Sequence, residues 1–196
     1  MVYRRLLTML VPSPIKNSLN NIHIRLAEAE VSAGHLQIAV TNLETVVDCW
    51  IESPKYVPSD KAGFNGQAAR KQIFRDLIST FDFQQIFETG TWTGDTTAYM
   101  AETSKLPVSS TELSHRFHAL AKIRLADFER ITLENLDSRR FIEKLIKDSN
   151  LTSARSFFYL DAHWYDDLPL KEEVDLIAQH WDQSVIMVDD FQVSWR

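Results

Sequence analysis

Residues 86–97 read IFETGTWTGDTT, and no other stretch of the chain carries a stronger fold signal. An apolar run ends in Glu88, a loop with Gly90 and Gly94 follows, and a helix-forming segment comes next. Because the chain has only five glycines, this close pair predicts a tight strand-to-helix turn. The dinucleotide pattern G-x-G-x-x-G is not met, since Trp92 stands where a pyrophosphate needs close backbone approach. The loop therefore argues against NAD or FAD as the ligand.

Outward from this loop, short apolar runs alternate with helical patterns along the chain. Such an alternation indicates a parallel sheet that helices cover on both faces. We predict an α/β fold, Rossmann-like and doubly wound, with a mainly parallel sheet of five strands. The predicted strands are residues 84–88, 108–112, 131–135, 156–161 and 185–189, and the predicted helices are residues 68–81, 95–102, 114–128, 138–148 and 169–181, with Ser138 as the cap of the fourth helix.

Four of the five predicted strands end in carboxylates. Ligands of an open parallel sheet bind at the carboxyl ends of the strands, so these acids predict one site at that edge. The alternative is a set of solvated loop acids. The residues concerned are Glu88, Glu112, Asp161, and Asp189 with Asp190.

Two of these acids indicate the chemistry of the ligand. Glu88 places a negative charge beside it, which suits a cationic amine better than a phosphate. Glu112 lies 112 − 94 = 18 residues beyond Gly94, where a carboxylate that accepts hydrogen bonds from ribose hydroxyls is expected. An adenosyl ligand that carries an amino group and no phosphate is S-adenosylmethionine (SAM).

Residues 88–94, followed by Glu112, resemble motif I and the next acidic position of class I SAM-dependent methyltransferases, over roughly residues 64–193. In that family the first acid and the glycines hold the methionine end, and the second acid binds the ribose. A residue after the third strand flanks adenine, and Asp137 or Ser138 has that position here. The resemblance implies cofactor contacts from Glu88, Gly90, Gly94, Glu112, Asp137, Ser138 and Asp161.

Two later segments, YLDAHWY at residues 159–165 and VIMVDDF at residues 185–191, resemble metal-dependent sugar O-methyltransferases of the macrocin and mycinamicin type. The resemblance implies that Asp161, Asp189 and Asp190 bind Mg²⁺ or Mn²⁺. It also implies methylation of a hydroxyl on a sugar or another small polar molecule. Those enzymes have a second aspartate, proposed as the base, where this chain has His163.

The residue types agree with that interpretation. Three carboxylates are hard oxygen ligands, suited to magnesium, manganese or calcium. Asp161 and His163 are two residues apart, so their side chains share a face on an extended segment. A neutral histidine accepts protons near neutral pH, which makes His163 the predicted catalytic base. The alternative for His163 is a hydrogen-bonded structural histidine at a strand end.

Residues 1–62 are predicted to form a helical extension and linker, ahead of a SAM-binding domain over residues 63–196. Apolar residues from Leu36 to Trp50 recur at helical spacing, as two helices or as one helix weakened at Gly34. This stripe predicts a packing or association surface, and a homo-oligomer formed through it. Residues 53–66, with two prolines and two glycines, are interpreted as a linker. Strands that usually follow the fifth one are missing, which indicates a fragment or an edge that a partner covers.

Composition excludes several classes of protein. The 196 residues carry 21 basic and 27 acidic side chains, a net charge of −6, which argues against nucleic-acid binding through phosphate contacts. The single cysteine, Cys49, excludes a disulfide framework and a cysteine zinc site. No apolar run approaches the roughly 20 residues of a membrane span, and the short basic and apolar start lacks a cleavage site. A cytoplasmic location is therefore expected.

Two other functions stay open from the sequence. The chain could be an inactive SAM-fold remnant that acts as a binding or assembly module through its N-terminal helix. It could also be a nucleotide-sugar transferase whose acids hold a metal ion and a diphosphate. Trp92 and the pair of acids Glu88 and Glu112 favour SAM over a diphosphate.

Overall fold

A computed structural model describes residues 31–38, 63–162 and 168–189. The chain divides into two units, Met1–Glu44 and Thr45–Arg196. In the first unit, residues 31–38 are helical and exposed, and the helix continues through Gly34. Over these eight residues the structure favours one helix over a break at Gly34. The rest of the predicted apolar stripe lies outside the described residues.

The second unit contains a five-stranded sheet in which every neighbouring pair of strands is parallel. The strand order is β3-β2-β1-β4-β5, so β1 is central and the order reverses between β1 and β4. Chain segments that leave β1 and β4 therefore diverge to opposite sides and open a crevice at the carboxyl edge. The strands are β1 Gln85–Thr89, β2 Val108–Thr111, β3 Ile131–Glu134, β4 Ser156–Leu160 and β5 Ser184–Val188.

Helices follow the strands in the predicted alternation. One of them, α5, continues the segment of α4 as a separate short helix that the sequence analysis did not predict. The helices are α1 Ala68–Thr80, α2 Asp95–Ser104, α3 His115–Arg124, α4 Ser138–Ile146, α5 Ser149–Ser153 and α6 Leu170–His180.

Two apolar clusters cover the two faces of the sheet. Successive side chains of a strand point to opposite faces, and β1 accordingly sends Ile86 into one cluster and Phe87 into the other. The first cluster packs against α1 and α2 through Phe74 and Met100. The second packs against α4 and α6 through residues that include Ile177. All five residues of β1 and of β4 are buried, as expected for central strands of a doubly covered sheet.

The predicted fold class is confirmed, and two local predictions are wrong. Asp137, not Ser138, is the N-cap of α4, because the Asp137 carboxylate accepts the backbone N–H of Arg139 at 3.0 Å. The last residues of the predicted linker belong to the folded domain. Phe64 is fully buried, and its ring meets that of Tyr159 edge-on at 5.0 Å between centroids.

Among the helices of the described residues, none is both long and apolar enough to cross a membrane.

Candidate functional site

The loop after β1 is fastened to the end of β2 by backbone hydrogen bonds. The N–H groups of Gly90 and Thr91 donate to the carbonyl oxygen of Thr111 at 3.0 and 3.1 Å. Gly90, Trp92 and Gly94 all have positive φ angles, of 88°, 47° and 83°. The loop is therefore tightly coiled at the carboxyl edge of the sheet, where the predicted site lies.

Both glycines of this loop are required by packing as well as by φ. A Cβ atom on Gly90 would lie 2.5 Å from the carbonyl oxygen of Asp161. A Cβ atom on Gly94 would lie 2.6 Å from Cδ1 of Leu125. Without a side chain at Gly90, the segments that follow β1 and β4 come into contact, and this contact forms the floor of the crevice.

Glu112 lies just after β2 and is almost fully buried. Its two carboxylate oxygens accept the backbone N–H groups of Trp92 and Ser114, each at 2.8 Å. Burial raises the pKa of the Glu112 carboxyl, and these N–H donors oppose that rise. Because each carboxylate oxygen can accept two hydrogen bonds, Glu112 keeps acceptor capacity for a further donor such as a ribose hydroxyl.

Glu88 lies beneath the loop and is fully buried. Its Oε2 atom accepts the hydroxyls of Thr97 at 2.5 Å and Ser110 at 2.6 Å. Burial raises the pKa of this carboxyl to about 8, and the nearby Asp161 and Glu112 charges add to the effect. Glu88 is therefore mostly protonated at pH 7, and it supports the loop from below instead of lining the cleft.

Two pockets meet at Gly90. The first is a narrow slot of about 20 Å³, enough for roughly one water, so a planar ring enters only if its walls part. The second is a cleft of about 330 Å³, within the size range of small-molecule sites. Leu113, Leu136, Asp137, Ser138 and Pro169 line the slot, and Asn65, Thr91, Trp92, Thr93 and Asp161 line the cleft.

Asp137 and Ser138 both line the slot. Asp137 forms an ion pair with Arg139 at 2.7 Å, and this hydrogen-bonded partner lowers the pKa of the carboxyl. Ser138 is buried. The slot therefore has apolar walls and a charged, hydrogen-bonding rim.

Two polar groups near the site were missed by the sequence analysis. Arg124, at the end of α3, donates two hydrogen bonds to the Asp95 carboxylate, each at 3.0 Å, and one to the carbonyl oxygen of Thr93 at 2.6 Å. The Asp95 pKa is lowered, because these contacts outweigh the effect of burial. No sequence pattern pairs residues from two different helices, so this loop clamp was not predictable.

Glu173, on α6, is the second missed group. It is buried, and burial raises the pKa of its carboxyl, although the hydroxyls of Ser138 and Thr89 lie close enough to lower it in part. An acid in the first turn of a helix normally indicates a favourable charge near solvent, so its burial was not expected.

The predicted metal ligands are only partly described. Asp161 and Asp189 directly follow the adjacent strands β4 and β5, which are paired up to Leu160 and Val188. Asp189 forms an ion pair with Arg70 of α1, and its side chain is 1% exposed. Asp190 and His163 lie outside the described residues. Within residues 31–38, 63–162 and 168–189, no three metal-ligating side chains gather, so the described residues do not fit a divalent cation.

No protein-family model and no curated protein matches this chain. Solved structures do match it in fold. A SAM-dependent methyltransferase from Agrobacterium tumefaciens is 14% identical with a TM-score of 0.52, over 68% of this chain and 47% of that one. The O-methyltransferase TomG from Streptomyces achromogenes, solved in complex with SAM, is 15% identical with a TM-score of 0.53, over 75% and 64%.

An O-methyltransferase from Bacillus cereus, solved in complex with SAH, is 15% identical with a TM-score of 0.50, over 72% of this chain and 61% of that one. The chain thus spans between about half and two thirds of the length of these three structures. At these identities the likeness establishes the Rossmann-like fold that such enzymes share. Activity, acceptor and partners have to be argued from the site itself.

Proposed function

We propose that the chain binds SAM at the carboxyl edge of its sheet and transfers the methyl group to a hydroxyl of a small polar acceptor. One observation carries the proposal. A slot and a cleft meet at Gly90, beside the point where the strand order reverses. An extended ligand with a flat heterocycle at one end and a charged amino acid at the other fits this pair of pockets once the walls of the slot part.

The residue types around the two pockets support SAM in particular. The apolar walls at Leu113 and Leu136 suit the adenine ring, and the Asp137 carboxylate at the rim suits the exocyclic amino group of adenine. Glu112 supplies a carboxylate at the end of β2 for the ribose diol. In the cleft, the negative charge of Asp161 suits the amino group of the methionine end. The Asn65 amide can donate a hydrogen bond to its carboxyl group.

The charges of the site argue against a diphosphate ligand. Glu112, Asp161 and Asp95 lie at or near the loop after β1, and a phosphate would be repelled by them. The Arg124 guanidinium is already bound by Asp95 on both of its terminal nitrogens. The Arg139 guanidinium, at the slot, is already paired with Asp137. The nucleotide-sugar alternative therefore has less support than SAM.

When bound, SAM supplies an electrophilic methyl group on a sulfonium. The protein's part is to hold the acceptor hydroxyl in line with that group and to take its proton. Asp161 lies at the cleft, and His163 follows it by two residues. We assign the proton to the neutral imidazole of His163, in keeping with the sequence prediction.

The sequence prediction is finer, namely metal-assisted methylation of a sugar hydroxyl, and the proposal keeps only its acceptor. A sugar or comparable polyol as acceptor rests on the resemblance of residues 159–165 and 185–191. The proposed mechanism uses no metal ion, because the Asp189 carboxylate already has Arg70 as its cation.

Isothermal titration calorimetry on the full chain tests the proposal. We expect SAM and its demethylated product SAH to bind, and ATP and NAD to show no binding under the same conditions. Binding of ATP or NAD with no binding of SAM contradicts the proposal. Binding of SAM with no methyl transfer to any of a panel of polyols favours the inactive binding module.

A further inference from the structure

The ion pair between Arg70 and Asp189 stands where the sequence predicts a divalent cation. Asp189 follows β5 directly, next to the position that Asp161 has after β4. The Arg70 guanidinium reaches it from α1, with 21% of the arginine side chain and 1% of the aspartate side chain exposed. The negative charge of Asp189 is therefore already compensated inside the protein.

A divalent cation at this carboxylate would have to displace the guanidinium. Removing the partner of a buried charge is strongly unfavourable, because the remaining charge stays out of water without compensation. Arg70 would then be a mostly buried cation beside a second, doubly charged one. An arginine side chain does not lose its proton inside a protein, so the repulsion between the two cations would remain. The two cations are therefore alternatives at one carboxylate.

We infer that the Arg70 guanidinium is the resident cation of Asp189 and that the Mg²⁺ or Mn²⁺ site predicted from the sequence does not form in this chain. Arg70 fixes the end of β5 to α1.

Thermal melts of the full chain in magnesium, in manganese and in chelator provide the test. The parent should give the same midpoint in all three. Arg70→Met removes the charge and keeps the aliphatic stem, so Asp189 becomes available as a ligand. Its midpoint should rise with the concentration of magnesium or manganese, because a cation that binds the folded state alone stabilises it. The double variant Arg70→Met with Asp189→Asn should lose that rise.

Arg75→Met is the matched control. Arg75 lies on the same helix, is exposed, and contacts Tyr99 and Gln72. Its loss removes the same charge from α1 without touching Asp189, and its midpoint should not respond to metal.

One result would overturn the inference: a parent that magnesium or manganese stabilises. A folded Arg70→Met variant that metal does not stabilise would still support the absence of a metal site, because the described residues gather no group of three ligands around Asp189. If Arg70→Met fails to fold, a Mn²⁺ titration of the parent decides, where binding contradicts the inference and its absence supports it. The SAM affinity of the same proteins is measured in separate titrations. A failure to bind SAM would contradict the proposed function and leave the metal result intact.

Discussion

The side chain of Glu112 holds the backbone of Trp92. Its Oε2 atom accepts the Trp92 N–H at 2.8 Å, across 20 residues of sequence. Trp92 has a φ of 47°, and a left-handed conformation costs a residue with a side chain about 1–2 kcal/mol. A hydrogen bond to a charged group contributes about 1.5–3 kcal/mol, enough to offset that strain. The carboxylate predicted to bind the ribose therefore also sets the shape of the loop.

We expect Glu112→Ala to weaken SAM binding by about 1.5–3 kcal/mol, the scale of lost hydrogen bonds to a charged group. Calorimetric titration measures the change. Glu134→Ala is the control, because Glu134 also ends a strand of the sheet but its carboxylate binds Lys144 at 2.6 Å. Equal SAM affinity in parent and Glu112→Ala, with intact circular dichroism, would contradict the assignment of Glu112.

The sheet could be predicted from the sequence because its strands are short apolar runs. Residues 156–160 are all buried, and a run that is apolar on both faces has few other places in a fold. The predicted strand ends deviate by one residue. The carboxyl edge with Glu112 followed from the same pattern, because parallel strands end on one side. Asp137 and Ser138 came from the resemblance to SAM-dependent methyltransferases.

The partners of charged side chains could not be predicted in this way. Arg70 and Asp189 are more than a hundred residues apart in the sequence, and an arginine on a helix looks like a solvated residue until the sheet brings a carboxylate to it. Asp95 and Arg124 give a similar case. Phe64 looked like part of a linker because glycines flank it, although its ring is in the core.

Gly90→Ala should destabilise the domain by more than about 1–2 kcal/mol, the cost of the left-handed conformation alone. The added Cβ atom would also lie 2.5 Å from the Asp161 carbonyl oxygen, so the segments after β1 and β4 must move apart. Urea unfolding measures the loss. The control is Gly34→Ala, where the new Cβ atom meets nothing within 4 Å and the helix gains about 0.5–1 kcal/mol. Equal stability of parent and Gly90→Ala would refute the contact.

Glu88 should make the protein less stable as the pH rises. Its pKa is about 8 in the folded protein, against an ordinary value of 4.5. Between these values the folded state binds a proton that the unfolded state lacks, so the free energy of unfolding falls with pH across that window. The buried Glu173, whose pKa is also raised, adds a contribution of the same sign.

A glutamine at position 88 cannot ionise. The free energy of unfolding of Glu88→Gln should therefore fall less between low and high pH than that of the parent, by on the order of a few kcal/mol. Urea unfolding at about pH 5 and about pH 8.5 compares it with the parent. Glu143→Gln, at an exposed position of α4, is the control and should follow the parent. Parallel pH curves for the parent and Glu88→Gln would show that Glu88 is not protonated in the folded state.

His163→Ala should leave SAM binding unchanged and lower the methyl-transfer rate by about 10²–10⁴-fold, as for the loss of a general base. The acidic limb of the pH–rate profile that a histidine base produces should disappear with it. His180→Ala is the control, since His180 is exposed at the end of α6 and its ring contacts the Leu176 carbonyl oxygen one turn back, at 2.9 Å. Turnover by His163→Ala at the parental rate would remove His163 from the mechanism.

The clamp of Arg124 on Asp95 should couple the stability of the domain to SAM binding. Arg124 holds both the Asp95 carboxylate and the carbonyl oxygen of Thr93, and Thr93 lines the cleft. Arg124→Met should therefore destabilise the domain by about 1 kcal/mol, a value kept low because Asp95 is 37% exposed. It should also weaken SAM binding, because the loop after β1 is then more mobile and loses more conformational entropy when the ligand binds.

A double-mutant cycle with Asp95→Asn separates the pair from its surroundings. If the bidentate contact carries the effect, Asp95→Asn with Arg124→Met should cost less than the sum of the two single changes. Arg116→Met removes the same charge from an exposed position of the same helix and should change neither stability nor affinity. Additive single effects would mean that the two residues act independently. The loop conformation would then depend on Glu112 and on the backbone bonds to Thr111 alone.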